Sequence, residues 1–522
     1  MPLSAVRLFD DDRLKVPPEH LGLLVEPDGL PLEALLDHSG SDSFLSVRLL
    51  DTSVGELRAA LRAELRCRGP LIATGHQPEF FHAGVFAKLI AAALLAEKHG
   101  GVALFVMVDS DLPKQTHLVV PQVTSRGLRR VEVVIPGIDR QVPYEFQPRA
   151  ARTEWLQFFA SAASLFAAGD VALLPVFARA WLTTPDAQPT WCEALSRASA
   201  AAATALALKS IAHLRLSDLC RSAAFRTLAA SLILDAERLA GLYNAALATY
   251  RQRHRVRSAA RPMPALTIDE QRIEVPLWVV RADQPRRRLY VSRGPGTVRF
   301  YADQTIIGQM SPGALATVDR REEAWPFEAG GWELRPRAVT LSLFLRMLLA
   351  DVFIHGIGGA RYDEVTEEFA LSWLGVPLPA LACISATLRL PLPCHGVRRA
   401  DIARARQAAR DLRHNPQRHL RDLPAELVRR RQELARRSDE LRETRRHDHA
   451  ARRRVFREIR QLNDRLLEYD PWRAASYDQR IQTLLSQAEL DRIALDREYF
   501  YALHPQSTLA ELVEAVRHRL DR

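Results

Sequence analysis

Three short stretches of this chain combine residues that bind ligands or move protons with glycines that let a backbone come close to a ligand. The first is Thr74-Gly-His-Gln77, continuing through Glu79 to His82. Thr74 and Gln77 offer hydrogen bonds, and Gly75 permits close approach of the main chain. His76 and His82 are bases of near-neutral pKa, and Lys88 lies further along. The second is Met107-Val-Asp-Ser-Asp111, followed by Lys114 and His117. Asp109 and Asp111 can orient an amine, accept its proton or hold a magnesium ion. They also suit an Asx turn and a helix N-cap, which carry no chemistry. The third is His355-Gly-Ile-Gly-Gly359, followed by Arg361 and Asp363. Gly356, Gly358 and Gly359 make a pliant loop, and Arg361 is a candidate anion ligand. Asp363, Glu364 and Glu367 fall on the first turns of the next helix, where negative charge is favourable in any case. Upstream, Arg335 and Arg337 are either anion ligands or surface ion pairs. There is no Walker A loop, no G-x-G-x-x-G, no H-E-x-x-H and no well-placed G-x-S-x-G.

Each stretch follows an apolar element able to position it. Pro70–Ala73 reads as a short buried strand that turns at Gly75. Val85–Lys98 reads as a helix closed by Gly100-Gly101. Val102–Val108 is short and β-branched, like a buried parallel strand, and runs into Asp109. With a further strand expected at Arg130–Ile135, this is the βαβ pattern of a parallel sheet. Ligands of such sheets settle at the carboxyl ends of strands, and helix N-termini attract anions there. Residues 148–261 read as an Ala- and Leu-rich helical insertion. Strands return at Glu274–Val280, Arg288–Ser292 and Val298–Tyr301, a small antiparallel patch within 262–325. Residues 326–396 complete the core begun at 67–147, behind a helical lead-in at 1–66.

From 397 to 522 the chain reads as a helical arm. Ala425 to Asp470 contains neither Pro nor Gly, and one continuous helix of that length would span roughly 68 Å. Leu420, Leu427, Leu434, Leu441, Val455 and Leu462 keep a seven-residue register broken at Asp448, with a poor companion stripe. That pattern implies a partial coiled coil, antiparallel or packed on other helices, and a homodimer held through the arm.

The charge sits in the same place. Between Gly396 and Asp470 there are 22 arginines against 13 acids, which accounts for nearly all of the net +10. The arginines are interleaved with acids, as on a solvated helix face rather than a nucleic-acid stripe. No run of eighteen uncharged apolar residues occurs, so no membrane partner is expected. The first residues, MPLSAVRLFDDDRLK, carry acids where a secretion signal needs an apolar core. Five scattered cysteines lack C-x-x-C spacing, against a disulfide framework or zinc ribbon. The expectation is a cytoplasmic α/β protein.

In order and spacing, TGHQ (Thr74–Gln77), MVDSD (Met107–Asp111), LRPR (Leu334–Arg337) and HGIGGARYDE (His355–Glu364) resemble the bacillithiol biosynthesis cysteine-adding enzyme family. That family carries a TGQQ-type loop, a GEDHD-type strand end and an LRP…GGPGEIAY segment before a coiled-coil arm. The resemblance implies a Rossmann-like, nucleotidyltransferase-type parallel-sheet core with helical insertions and a C-terminal coiled-coil arm used to dimerise. It also implies a ligase joining the carboxyl of a cysteine-like amino acid to a small amine such as an amino sugar. His76 stands where the family has Gln, and Ser110 where it has His, so the substrate is not carried over. The ligase reading makes Asp109, Asp111 and His76 the proton-handling residues and leaves ATP or another nucleotide open as cofactor. A metal-dependent hydrolase built on His76, His82, Asp109 and Asp111 is one alternative. A non-catalytic dimeric scaffold is another, favoured if the three loops do not converge.

Overall fold

The computed structural model describes residues 9, 13–27, 34–37, 41–125, 127–148, 150–165, 172–183, 190–317 and 324–521. The leading stretch read above for a secretion signal lies mostly outside them. The chain forms two units: residues 1–122, 131–390 and 497–522, and residues 123–130 and 391–496.

The first unit is a mixed α/β structure around a six-stranded sheet. Its strands in chain order are β1 (Gly22–Glu26), β2 (Leu71–His76), β3 (Val102–Met107), β4 (Ile211–Arg215), β5 (Val352–His355) and β6 (Leu381–Thr387). They lie in the spatial order β1-β6-β5-β2-β3-β4, with β1 antiparallel and the other five parallel. Leu71, Ile72 and Ala73, like Ala103 to Met107, are buried without interruption, because parallel strands are covered on both faces. Helix α1 (Ala83–Lys98) carries β2 to β3 and is buried from Ala83 to Ala96; its Ala/Leu run suits a helix enclosed on all sides. Helix α2 (Ile357–Leu374) carries β5 to β6 in the opposite direction along the sheet.

Two strand expectations change. Arg130–Ile135 does not join the parallel sheet: Gly127–Val134 pairs with His117–Thr124 in a separate two-stranded ribbon. Its alternating pattern, Leu-Arg-Arg-Val-Glu-Val-Val, suits a strand covered on one face. The third parallel strand in chain order is instead Ile211–Arg215, inside the region read as helical. The antiparallel patch grows to five strands, adding Thr305–Met310 and Glu333–Pro336. One apolar core joins this sheet to the parallel one through Leu104, Val106, Val279 and Phe300.

In the second unit, Ala425–Thr444 and His449–Leu467 are separate helices. The expected continuous helix ends where Asp448 caps the second one, accepting from Ala451 N–H. Arg431 Nε donates to Asn463 Oδ1 at 2.9 Å across the resulting hairpin. Leu434, Val455, Leu462 and Leu466 are buried inside the unit, so the heptad stripe is covered largely by the chain itself. The expected arm also stops short of 522. The helix Gln506–Leu520 returns to pack on α1, and Tyr501 stacks on Phe86 with ring centroids 4.3 Å apart. Among the described residues, no helix is long and apolar enough to cross a membrane.

Candidate active site

Strands β2 and β5 are neighbours whose following connections diverge, one toward β3 and the other toward β6. Such a switch point leaves a crevice outside the strand ends. Here it holds a cleft of about 400 Å³ lined by Gly75–Gln77, the start of α1, His355–Gly359, Ser385 and Arg497. The loop from Gln77 to His82 is pinned from behind. Phe80 is buried among Trp155, Phe158, Trp181, Trp191 and Phe500, and its N–H donates to Gln115 Oε1 at 2.8 Å.

The cleft is electropositive at its base. Lys88 is 4% exposed and donates to Gly75 O at 2.8 Å. No carboxylate among the described residues pairs with it, and burial lowers its pKa to about 8. Arg497 Nη2 donates to Ala386 O at 2.8 Å and Ser385 Oγ at 3.2 Å, while its Nε is buried with no hydrogen-bond partner. Gly84 makes room for this arrangement: a Cβ there would sit 2.1 Å from Arg497 Nη2. The N-cap of α2 is Gly356, without a side-chain cap, so the first N–H groups of α2 are left for a ligand.

The histidines divide into two kinds. His82 Nδ1 accepts from Gly84 N–H at 3.0 Å, which caps α1 and leaves the ring proton on Nε2, 3.3 Å from Glu498. Burial, then Arg497, lowers its pKa to about 3. His76 Nδ1 lies 2.9 Å from Gln77 O, and burial followed by Lys88 lowers its pKa to about 4. Both are neutral near pH 7 and add no charge for an anion. His355 differs. Its Nε2 lies 3.3 Å from Ser342 Oγ and 3.7 Å from Asp363 Oδ2. Its Nδ1 faces the glycine turn so closely that a Cβ on Gly359 would stand 2.4 Å away. Burial disfavours the Asp363 anion, yet Arg346, 2.7 Å away, and His355 hold its carboxyl well below the usual range. An ionised carboxylate near one ring nitrogen of a histidine that lines a cleft is the pairing seen between a general base and its orienting acid.

Two of the three sequence loops thus meet, and the third stays at the margin. Val108 reaches the cleft, whereas Asp109 is fully buried, accepting from Ser217 N at 2.9 Å and Ser217 Oγ at 2.6 Å. The expected proton acceptor is a brace between β3 and the segment after β4. Asp111 is held by Gln77 Nε2 at 2.8 Å and Arg286 at 2.6 Å. Thr74 Oγ1 donates to Ile354 O at 2.8 Å, tying β2 to β5. Three expected anion ligands are spent elsewhere. Arg361 donates to Leu14 O at 2.7 Å. Arg335 is buried against Glu145 and Glu333, and Arg337 against Glu274. Their acids satisfy them, as burial of a charge requires. Among the described residues no group of three or more His, Cys, Asp or Glu side chains could hold a metal, so the four-residue metal centre does not assemble.

Sequence reading missed Arg497 and Ser342 and gave Lys88 only a passing place. Lys88 alone had a usable signal, being a lysine in the middle of an otherwise apolar helix. No protein-family model matches the chain, and no curated protein sequence matches it.

Proposed function

We propose that the switch-point cleft is the active site of a C–N bond-forming enzyme that joins an amino-acid carboxyl to a small amine, as the resemblance to the cysteine-adding enzymes implies. The observation that supports this reading is the pairing of a cationic, helix-capped pocket with a carboxylate-backed histidine across one cleft. Lys88, Arg497 and the first N–H groups of α2 hold an anionic group. His355 accepts a proton at Nδ1 from the attacking ammonium, and Asp363, held by Arg346, fixes the imidazole and stabilises its cationic form. Gln77, which lines the cleft and is held from behind by Asp111, positions the amine.

An amine does not displace hydroxide from a free carboxylate, so the carboxyl needs a better leaving group. A nucleoside triphosphate such as ATP supplies one by phosphorylating or adenylating the carboxyl. The residues present suit a phosphate: a lysine buried without a carboxylate partner among the described residues, an arginine whose Nε makes no hydrogen bond and pairs only with Glu498 at 3.7 Å, and a glycine turn opening a helix.

The experiment is a thermal-shift screen of purified protein with inorganic phosphate, nucleotides, amino acids and amino sugars, repeated on Lys88→Gln. A melting temperature raised by nucleotide or phosphate in the wild type and not in Lys88→Gln supports the cleft. Amide formation from the hits, followed by mass spectrometry, supports the ligase reading. No shift with any member of the panel refutes both.

A further inference from the structure

We infer that the exposed arginine row of the helix Arg399–His414 is a docking surface for duplex RNA, which it holds by the phosphate backbone. This surface belongs wholly to the second unit and does not depend on the chemistry of the cleft.

In the sequence the arginines of this segment are mixed with acids, but the helix sorts them. At 3.6 residues per turn, Arg399, Arg406, Arg410 and Arg413 fall within a sector roughly 60° wide, and all four are exposed. Ala409 and Leu412 are buried on another face, and the helix packs on Pro471–Ala494. Asp401 and Asp411 point at least roughly 100° away from the row. Both are already engaged: Asp401 accepts from Arg398 N–H at 2.9 Å and pairs with Arg404, while Asp411 accepts from Asn415 Nδ2 at 2.7 Å and lies 2.6 Å from His419 Nε2. Arg413 meets Asp478 at 2.8 Å. Among the described residues, Arg399, Arg406 and Arg410 have no carboxylate partner.

The row is long and regular. From its first arginine to its last it runs roughly 21 Å at 1.5 Å per residue. A groove of about 860 Å³ lies beside it, lined by Arg406, Gln407, Arg410 and His414.

These features select the occupant by charge and by what stands between the charges. Planar guanidinium groups pair with phosphate oxygens through two hydrogen bonds at once, and a row of them matches a repeating anion better than a single one. A helix lying on a membrane surface needs large apolar side chains beside its cations, whereas the exposed neighbours here are Ala403 and Gln407. A single strand is held by stacking its bases on aromatic rings, and this helix has none. A duplex needs neither. Gln407 and His414, exposed in the adjoining row, offer hydrogen bonds to the 2′-hydroxyls that line the shallow minor groove of RNA and are missing from DNA.

The test is fluorescence anisotropy of the full chain with a labelled RNA duplex of about 20 base pairs, titrated over a range of salt concentrations. Three phosphate contacts should give a slope of log affinity against log salt of about −3. Arg406→Gln/Arg410→Gln should weaken binding by roughly 10- to 100-fold and reduce the slope by about 2. Arg436→Gln/Arg437→Gln removes the same charge from exposed positions on another helix, and should change affinity by less than about threefold, as exposed charges beyond a Debye length do. A DNA duplex of the same sequence and a polyglutamate chain should both bind more weakly than the RNA. The proposal is overturned by no RNA binding up to about 100 μM protein, by equal loss in the two double variants, or by DNA or polyglutamate binding as tightly as RNA.

Discussion

The Nε2 of His355 lies 3.7 Å from Oδ2 of Asp363, a buried carboxylate that is in turn held by Arg346. This relationship joins the end of β5 to the second turn of α2 and sets the orientation of the ring. His355→Asn should abolish amide formation while leaving phosphate affinity within about threefold, as calorimetry would show. Loss of phosphate binding in step with turnover would make the histidine a ligand rather than a base.

Asp363 also makes a stability prediction. Its folded pKa is depressed, so its contribution is present above the unfolded value of about 3.9 and is lost as pH falls through the lower folded value. Asp363→Asn leaves Arg346 with a partner removed and should cost about 3–5 kcal/mol near pH 7. Urea unfolding of both proteins between pH 7 and pH 2 should show that gap narrowing on acidification.

Lys88 has the opposite sign. Its pKa falls from about 10.5 to about 8 on burial, so the unfolded chain binds more protons between those values and stability rises with pH across that window. At pH 7 the penalty is of order 3 kcal/mol. Lys88→Met should therefore raise the denaturation midpoint while weakening phosphate binding by roughly 10- to 150-fold. In the wild type, phosphate affinity should decline above pH 8 as the amine loses its proton. A stabilised variant that still binds phosphate fully would remove Lys88 from the site.

Arg497→Ala should weaken phosphate binding to a similar degree, whereas Arg361→Ala and His76→Ala should change it less than threefold. Arg361 is engaged with Leu14 O, and His76 is uncharged at neutral pH. Calorimetry on the three variants separates the groups that face the ligand from those that hold loops.

Asp109→Ala should cost about 1–3 kcal/mol, since it strands the buried donors of Ser217, and should leave the turnover of folded molecules unchanged. A fall in turnover without a loss of stability would return Asp109 to the chemistry.

What the sequence made legible follows from range. Thr74–Gln77 and His355–Gly359 each follow an apolar strand and precede a helix, so their place at strand ends could be read locally. Asp109 carried the same signal, but its carboxylate is spent on Ser217, more than a hundred residues away. Arg361 went astray in the same way, through Leu14. Ile211–Arg215 escaped notice because five residues, one a histidine and one an arginine, lie beside Ala-rich helices with no alternation to mark them. Arg497 could not be read at all. It enters the cleft only because the chain leaves the second unit there, and the room it needs is supplied by Gly84.

The stacking of Tyr501 on Phe86, with the edge-to-face contact of Phe500 and Phe80, bears on the order of synthesis. Strands β2 and β3 and helix α1 leave the ribosome early, but the rings that cover their aromatic faces follow some 400 residues later. At 5–20 residues per second, that interval is roughly 20–80 s. For that time the nascent chain carries Phe80, Phe81 and Phe86 without their final cover. A ribosome stalled between Thr387 and Arg497 would therefore release all six strands with a sticky flank and no complete pocket, a substrate for chaperones rather than a partly active enzyme.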